Sequence, residues 1–257
     1  MDKGKNIFNF QAKVGITKHI GNISATNELI GKCRIRQDSY VLDVGCGVGQ
    51  TPVYLAKNVG CRVMGVDILS EMVDKTIQRV EGEGLGHLVD ARVADMKALP
   101  FEDDHFDAVI TESVMAFPQD KLKAMAELVR VCKPGGRVGI NETTWLKTPV
   151  PEEIINWVGQ DLSSYATVLD GEGWHKLLQD SGLHDISSRT SAISMREETI
   201  GNVKRYGFGH IIKAWGQTFS LYRKDDEVKE MLQKVKAQSM PEKLFEYYGY
   251  GIYVGTK

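Results

Sequence analysis

Cysteine is scarce in this chain, with four residues in 257, at Cys33, Cys46, Cys61 and Cys132. No two of them have the C-x-x-C spacing of a redox or zinc motif, and scattered thiols suit a reducing compartment. Long apolar runs are missing too: none reaches the ~18 residues needed to span a bilayer. The first residues, MDKGKNIFNFQAK, contain no apolar h-region and do not read as a secretory signal. A cationic excess is also absent, since 32 Lys and Arg face 34 Asp and Glu for a net charge of -2. No global positive field is therefore available to hold a phosphate backbone. These absences lead us to expect a cytoplasmic protein with no nucleic-acid partner, no transmembrane segment and no metal site.

The rest is ordinary folded material. Hydrophobic residues make up 42% and charged residues 26%, and the length suits one large α/β domain with room for an insertion. Strand-like and helix-like stretches alternate from Tyr40 to about Thr144: YVLDV, TPVYLAKN, CRVMGVD, SEMVDKTIQRV, ARVADM, FDAVITES, DKLKAMAELVRVC and RVGINET. KPGG, before the last of these, is expected to stop the preceding helix. Repeated β–α units predict a doubly wound, mostly parallel sheet with helices on both faces. After Trp145 the alternation breaks. PVPEEIINWVGQDLSSY and GEGWHKLLQDSG read as helices, LHDISSRTSAISM as a strand, residues 197–243 as mostly helical, and YYGYGIYVGTK as a closing strand.

The stretch VLDVGCGVGQ, residues 41–50, carries most of the chemistry. Strand, glycines and helix in that order let backbone N–H groups approach a ligand. A dinucleotide site would read G-x-G-x-x-G, but here the third glycine arrives one residue early and Gln50 stands in its place. Asp43 would repel a pyrophosphate and suits a cationic ligand. It also has a purely structural reading, as an acceptor for loop amides.

D-x-G-C-G-x-G resembles the first motif of the class I, Rossmann-like, S-adenosylmethionine-dependent methyltransferases. LPFEDDHFDAVI and RVCKPGGRVGI resemble that family's approaches to its fourth and fifth strands. The resemblance covers about residues 14–144 and points to the small-molecule type, near the ubiquinone/menaquinone and sterol C-methylase-like subgroup. It implies a seven-stranded sheet with an antiparallel last strand, S-adenosylmethionine as cofactor, and S-adenosylhomocysteine as product. It implies cofactor contacts at Asp43, Gly45, Cys46, Gly47, Gly49, Asp67, Ile68, Asp95, Met96 and Glu112. Asp67, 22 residues after Gly45, would take the ribose hydroxyls, and Asp95 and Met96 would flank the adenine. Within a single domain, residues 1–36 would form a helical cover and 37–145 the cofactor-binding core. Residues 146–182 would form a helical segment and 197–243 a helical cap inserted between the last two strands.

The acceptor side is less determined. Glu112 and Glu142 end strands at the expected cleft, where each reads as a base or substrate contact or as a solvated strand-end acid. His19 precedes a helix that would cover the cofactor, and reads as a pocket or a surface histidine. Glu112 and His19 are the candidate catalytic residues. Glu142, Tyr206, His210, Trp215 and Phe219 are the candidate acceptor contacts. Trp215, Phe219 and Tyr222 are spaced i, i+4, i+7, which suits a buried helical face or a cap over an apolar acceptor. The expected activity is methyl transfer to a small molecule. The alternatives are a non-catalytic cofactor-binding module and a nucleic-acid methyltransferase, the latter opposed by TESVMAF in place of an N/D-P-P-Y/F motif.

Overall fold

The computed structural model describes residues 3–17, 19–162, 166–237 and 239–257. Side chains at 3–7, 161, 195, 197, 202, 204, 210, 231 and 234–237 lie outside that description. The chain opens with two helices, α1 (Lys3–Val14) and α2 (Asn22–Lys32). A β–α series follows: β1 (Tyr40–Val44), α3 (Gln50–Asn58), β2 (Arg62–Asp67), α4 (Ser70–Gly82), β3 (Val89–Val93), β4 (Phe106–Glu112), α5 (Lys121–Val131) and β5 (Cys132–Trp145). Then come α6 (Glu152–Leu162), the two-residue β6 (Leu169–Asp170), α7 (Gly171–Asp180) and β7 (His184–Ala192). Four helices precede the final strand: α8 (Met195–Tyr206), α9 (Phe208–Lys224), α10 (Asp226–Ala237) and α11 (Leu244–Tyr247), then β8 (Tyr248–Thr256).

The sheet runs β3-β2-β1-β4-β5-β8-β7, with β6 paired to the end of β5. β8 is antiparallel to both neighbours, β5 and β7, while the β1–β5 pairings are parallel. The seven-stranded parallel sheet with an antiparallel last strand is therefore present, and β6 adds a short eighth strand. KPGG departs from expectation. α5 ends at Val131 and β5 starts at Cys132, so these residues lie inside the strand. The β4–β5 register shifts between Phe106 and Ala108, and Gly135 takes a positive φ of 76° to absorb the irregularity.

Strand alternation places core on both faces. Leu42 and Val44 of β1 pack with Val109, Val138 and Ile140 under α5 and α7, whose Met125, Leu128, Trp174 and Leu178 are buried there. Val41 faces the other way, among Val63, Ala108 and Ile110 beneath Leu29 of α2 and Leu55 of α3. Burying such a side chain contributes roughly 1.5–3 kcal/mol. Both faces are therefore committed to helices. What remains open is the carboxyl edge of the strands, at the switch point where β1 lies between β2 and β4. Among the described residues, no helix is long and apolar enough to cross a membrane.

Candidate active site

A cavity of about 490 Å³ opens at that switch point. Its floor is the end of β1 and the following loop, with Asp43, Gly45, Cys46, Gly47, Gln50 and Thr51. One wall is Asp67, Ile68, Leu69, Asp95 and Met96, from the ends of β2 and β3. Glu112, Val114 and Phe117 after β4 form another, and Phe8, Thr17, His19 and Arg205 form the roof.

Gly45, Gly47 and Gly49 adopt φ of 81°, 55° and 80°, conformations that side-chain-bearing residues rarely take. Space is short as well. A Cβ on Gly45 would collide with the Val114 side chain, and one on Gly49 would lie 2.9 Å from the backbone of Thr76. The bare backbone is thus required by neighbouring protein atoms before any ligand is considered. The loop is further fixed by Thr76, whose hydroxyl donates to the Gly47 carbonyl at 2.8 Å. The Cys46 side chain is buried against Thr76 and Gly65, so it fills space beneath the loop.

The acids of the cavity are held differently. Asp67 accepts from Gly47 N and Leu69 N, each at 3.0 Å, which ties the glycine loop to the end of β2. Burial raises its pKa, and those backbone bonds pull against the rise. Asp43 is 2% exposed and its Oδ2 has no hydrogen-bond partner. Burial, reinforced by the nearby Glu112 and Asp67, pushes the Asp43 pKa well above the carboxylate range, while Arg205 pulls it back. A buried carboxylate oxygen without a donor is costly, and a cationic or ammonium-bearing ligand would supply the missing donor. Asp95 accepts from Lys97 N at 2.9 Å and borders the cavity with Met96. This donor set fits S-adenosylmethionine: Asp43 for the ammonium, Asp67 for the ribose, Asp95 and Met96 beside the base, and the glycine loop beneath.

Glu112 is the most heavily bonded side chain here. Its Oε2 meets His19 Nε2 at 2.8 Å, Thr26 Oγ1 at 3.0 Å and Asn141 Nδ2 at 3.3 Å, while Oε1 accepts from Thr51 at 2.9 Å. Burial opposes its charge, but His19, Arg205 and Thr51 more than offset that and hold the carboxyl at about 2. His19 is lowered from its ordinary value by burial and then by Arg205, against the pull of Glu112. The two directions agree on a carboxylate beside a neutral imidazole. Nε2–H then donates to Glu112, and Nδ1, which has no partner in the protein, keeps its lone pair. Arg205 donates to Thr26 Oγ1 at 3.2 Å and Thr51 Oγ1 at 2.8 Å, and its buried Nε is unpartnered.

The roof is tied down at several points. Ile20 N donates to Ser113 Oγ at 3.2 Å, and Asn141 Nδ2 donates to the Ile20 carbonyl at 3.0 Å. Tyr206 OH donates to the Thr17 carbonyl at 2.9 Å and accepts from Thr17 N at 3.1 Å. The phenol thus clasps the segment carrying His19 and does not itself border the cavity.

Several expected acceptor contacts lie elsewhere. Trp215 and Phe219 are 76% and 60% exposed and absent from the cavity wall, and Tyr222 is exposed too. They form neither a buried face nor a cap. α9 instead buries the side carrying Ala214, because its neighbours α8, α1 and α10 meet it there. Glu142 is also outside the cavity. It is buried and turned inward, accepting from Ala116 N at 3.1 Å and Thr143 N at 2.7 Å, and burial pushes its pKa up to about 7. The side chain of His210 lies outside the described residues. Sequence reasoning missed Arg205, Thr26, Thr51 and Phe8, which no local motif marks. It also missed Ser113, whose positive φ of 61° only coordinates reveal. Among the described residues, no group of three or more His, Cys, Asp and Glu is placed to hold a metal ion.

Comparison with known proteins agrees with the geometry. A family profile described as "Methyltransferase domain" matches residues 42–140. "Uncharacterized methyltransferase YodH" of Bacillus subtilis is 32% identical over 181 residues, covering 70% of this chain and 73% of that protein. "Phosphoethanolamine N-methyltransferase 1" of Triticum aestivum is 27% identical over 243 residues, covering 92% of this chain but 45% of that longer protein. Among solved structures, Haemonchus contortus phosphoethanolamine N-methyltransferase 2, bound to phosphomonomethylethanolamine and S-adenosylhomocysteine, superposes with a TM-score of 0.72 at 19% identity. The match covers 99% of this chain and 58% of that one.

Proposed function

Because the chain belongs to the S-adenosylmethionine-dependent methyltransferases, we propose that its acceptor is a small polar molecule whose hydroxyl or amine is deprotonated by His19. The observation that carries this reading is the unpartnered Nδ1 of a neutral His19 whose other nitrogen is held by Glu112. When bound, the cofactor supplies a methyl group already activated by its sulfonium. The protein's own residues then position the acceptor and manage its proton. Nδ1 of His19 takes that proton, and the Glu112 carboxylate stabilises the imidazolium that results. His19, Arg205 and Thr51 together keep Glu112 ionised. The roof from Phe8 to His19 excludes water, and Phe8 meets Phe117 edge-to-face at 5.3 Å across it.

His19, Glu112, Arg205, Thr17 and Thr51 give the cavity a polar wall alongside the apolar Phe8, Met72, Val114 and Phe117, which suits a small acceptor that carries a polar group. A cavity of about 490 Å³ is within the usual range for small-molecule sites, ~300–1,000 Å³. A cytoplasmic setting and the lack of a nucleic-acid partner belong to the same proposal, supported by the net charge of -2 and four free cysteines. Incubation with methyl-labelled cofactor and a panel of hydroxy and amino metabolites tests it. The expected result is a labelled product that His19→Ala no longer forms although S-adenosylhomocysteine still binds. Labelling of a non-acidic carbon at an undiminished rate in His19→Ala would overturn the base assignment.

A further inference from the structure

α9 is unlike the protein's other surfaces. Phe208, Ile212, Trp215, Phe219 and Tyr222 are all exposed and recur every three or four residues, so they lie along one side of the helix. α9 also contains Lys213, Arg223 and Lys224 and no acidic residue, in a protein whose net charge is -2. Arg223 places its guanidinium over the Phe219 ring at 4.9 Å, a cation–π contact within the stripe. Basic residues continue beyond the helix. Lys213 lines a cleft of about 350 Å³ with Lys13, Lys75 and Arg79, where Glu83 is the one acid.

We infer that α9 docks the protein onto an anionic lipid surface, with its aromatic stripe in the headgroup region. An aromatic face with Arg223 against it and Lys213 and Lys224 farther round the helix suits an interface, because apolar rings bury area and basic groups meet lipid phosphates. Size and charge disfavour a second copy of the chain as occupant. Fourteen residues at 1.5 Å rise give a stripe roughly 21 Å long and about 10 Å wide, or ~200 Å². A stable dimer buries ~800 Å² per partner. Pairing α9 with itself would also oppose two helices that carry positive charge only. None of the stripe's five residues lines the cofactor cavity, so docking leaves that cavity's lining intact.

Flotation of the full chain with two kinds of vesicle tests the inference, one of phosphatidylcholine alone and one of phosphatidylcholine and phosphatidylglycerol in equal parts. The expected result is flotation with the anionic vesicles only, reversed by added salt and weakened at least about tenfold in a Trp215→Ala, Phe219→Ala double variant. S-adenosylhomocysteine affinity of that variant should equal the parent's, which shows that it remains folded. Sedimentation velocity covers the other occupant. No flotation, equal flotation with neutral vesicles, or a dimer that the double variant abolishes would each overturn the inference.

Discussion

The floor of the cavity and the helices inserted between β7 and β8 are built on different terms. Around the cavity, Asp43 in the floor and Asp67 and Glu112 in the walls each sit at or near the end of a strand that is paired on both sides. Strand register alone aims these side chains at the carboxyl edge, and packing on both faces of the sheet prevents a shift. In the insertion, α8 and α9 touch the rest of the protein along one side only. Arg205 and Tyr206, adjacent in α8, reach inward to Thr51 and Thr17, whereas Trp215 of α9 stands in solvent. Rigid pairing thus fixes where the cavity's acids point, and a helix packed along one side leaves the other exposed.

The largest effect should come from the junction of the two regions, at His19. Removing a positioned general base costs ~10²–10⁴-fold. His19→Ala should lose that much in kcat while S-adenosylhomocysteine affinity changes little. In the parent, the acidic limb of the pH–rate profile should fall below the ordinary histidine value of 6.5, because burial and Arg205 lower the pKa. A limb at or above that value would mean that Glu112, not burial, dominates.

How much of this was legible depended on whether position follows from local spacing. Gly45, Gly47, Gly49 and Asp67 lie within one strand–loop–helix–strand unit, so their placement could be read from the chain. Glu112 could be placed at a strand end, but its partners Thr26, Thr51 and His19 come from three other segments. Periodicity in α9 named a face without saying what the face meets, and Trp215 was therefore assigned inward when the side carrying Ala214, Ile211, Thr218 and Leu221 points that way. Glu142 failed for a related reason. Its strand does end at the cleft, but strand alternation turns the side chain into the core.

Glu142 also offers a purely structural test inside the rigid region. Burial lifts its pKa in the folded protein to about 7, above the ordinary 4.5. Its contribution to stability is therefore fully present below about 4.5 and is lost as pH rises through about 7. Denaturant unfolding across that window should show stability falling with pH by on the order of 1–3 kcal/mol from this group, and Glu142→Gln should flatten the fall. An identical slope in the variant would mean that the carboxyl is ionised throughout. A smaller effect is expected where the insertion meets the roof. Tyr206→Phe removes the hydroxyl's bonds to the Thr17 backbone and side chain, worth about 1 kcal/mol in all. The melting temperature should drop by ~2–4 °C and cofactor affinity by roughly fivefold.

The most direct measurement is titration calorimetry with S-adenosylhomocysteine on three proteins: the parent, Asp67→Ala and Trp215→Ala. It asks whether the ligand is held by the strand-end floor and not by the exposed helix. Losing a charge-assisted contact costs ~1.5–3 kcal/mol, so Asp67→Ala should bind at least tenfold more weakly than the parent. Trp215→Ala should match the parent within about 0.5 kcal/mol, as an exposed substitution far from the site does. An unchanged dissociation constant for Asp67→Ala, or a large loss for Trp215→Ala, would contradict the account.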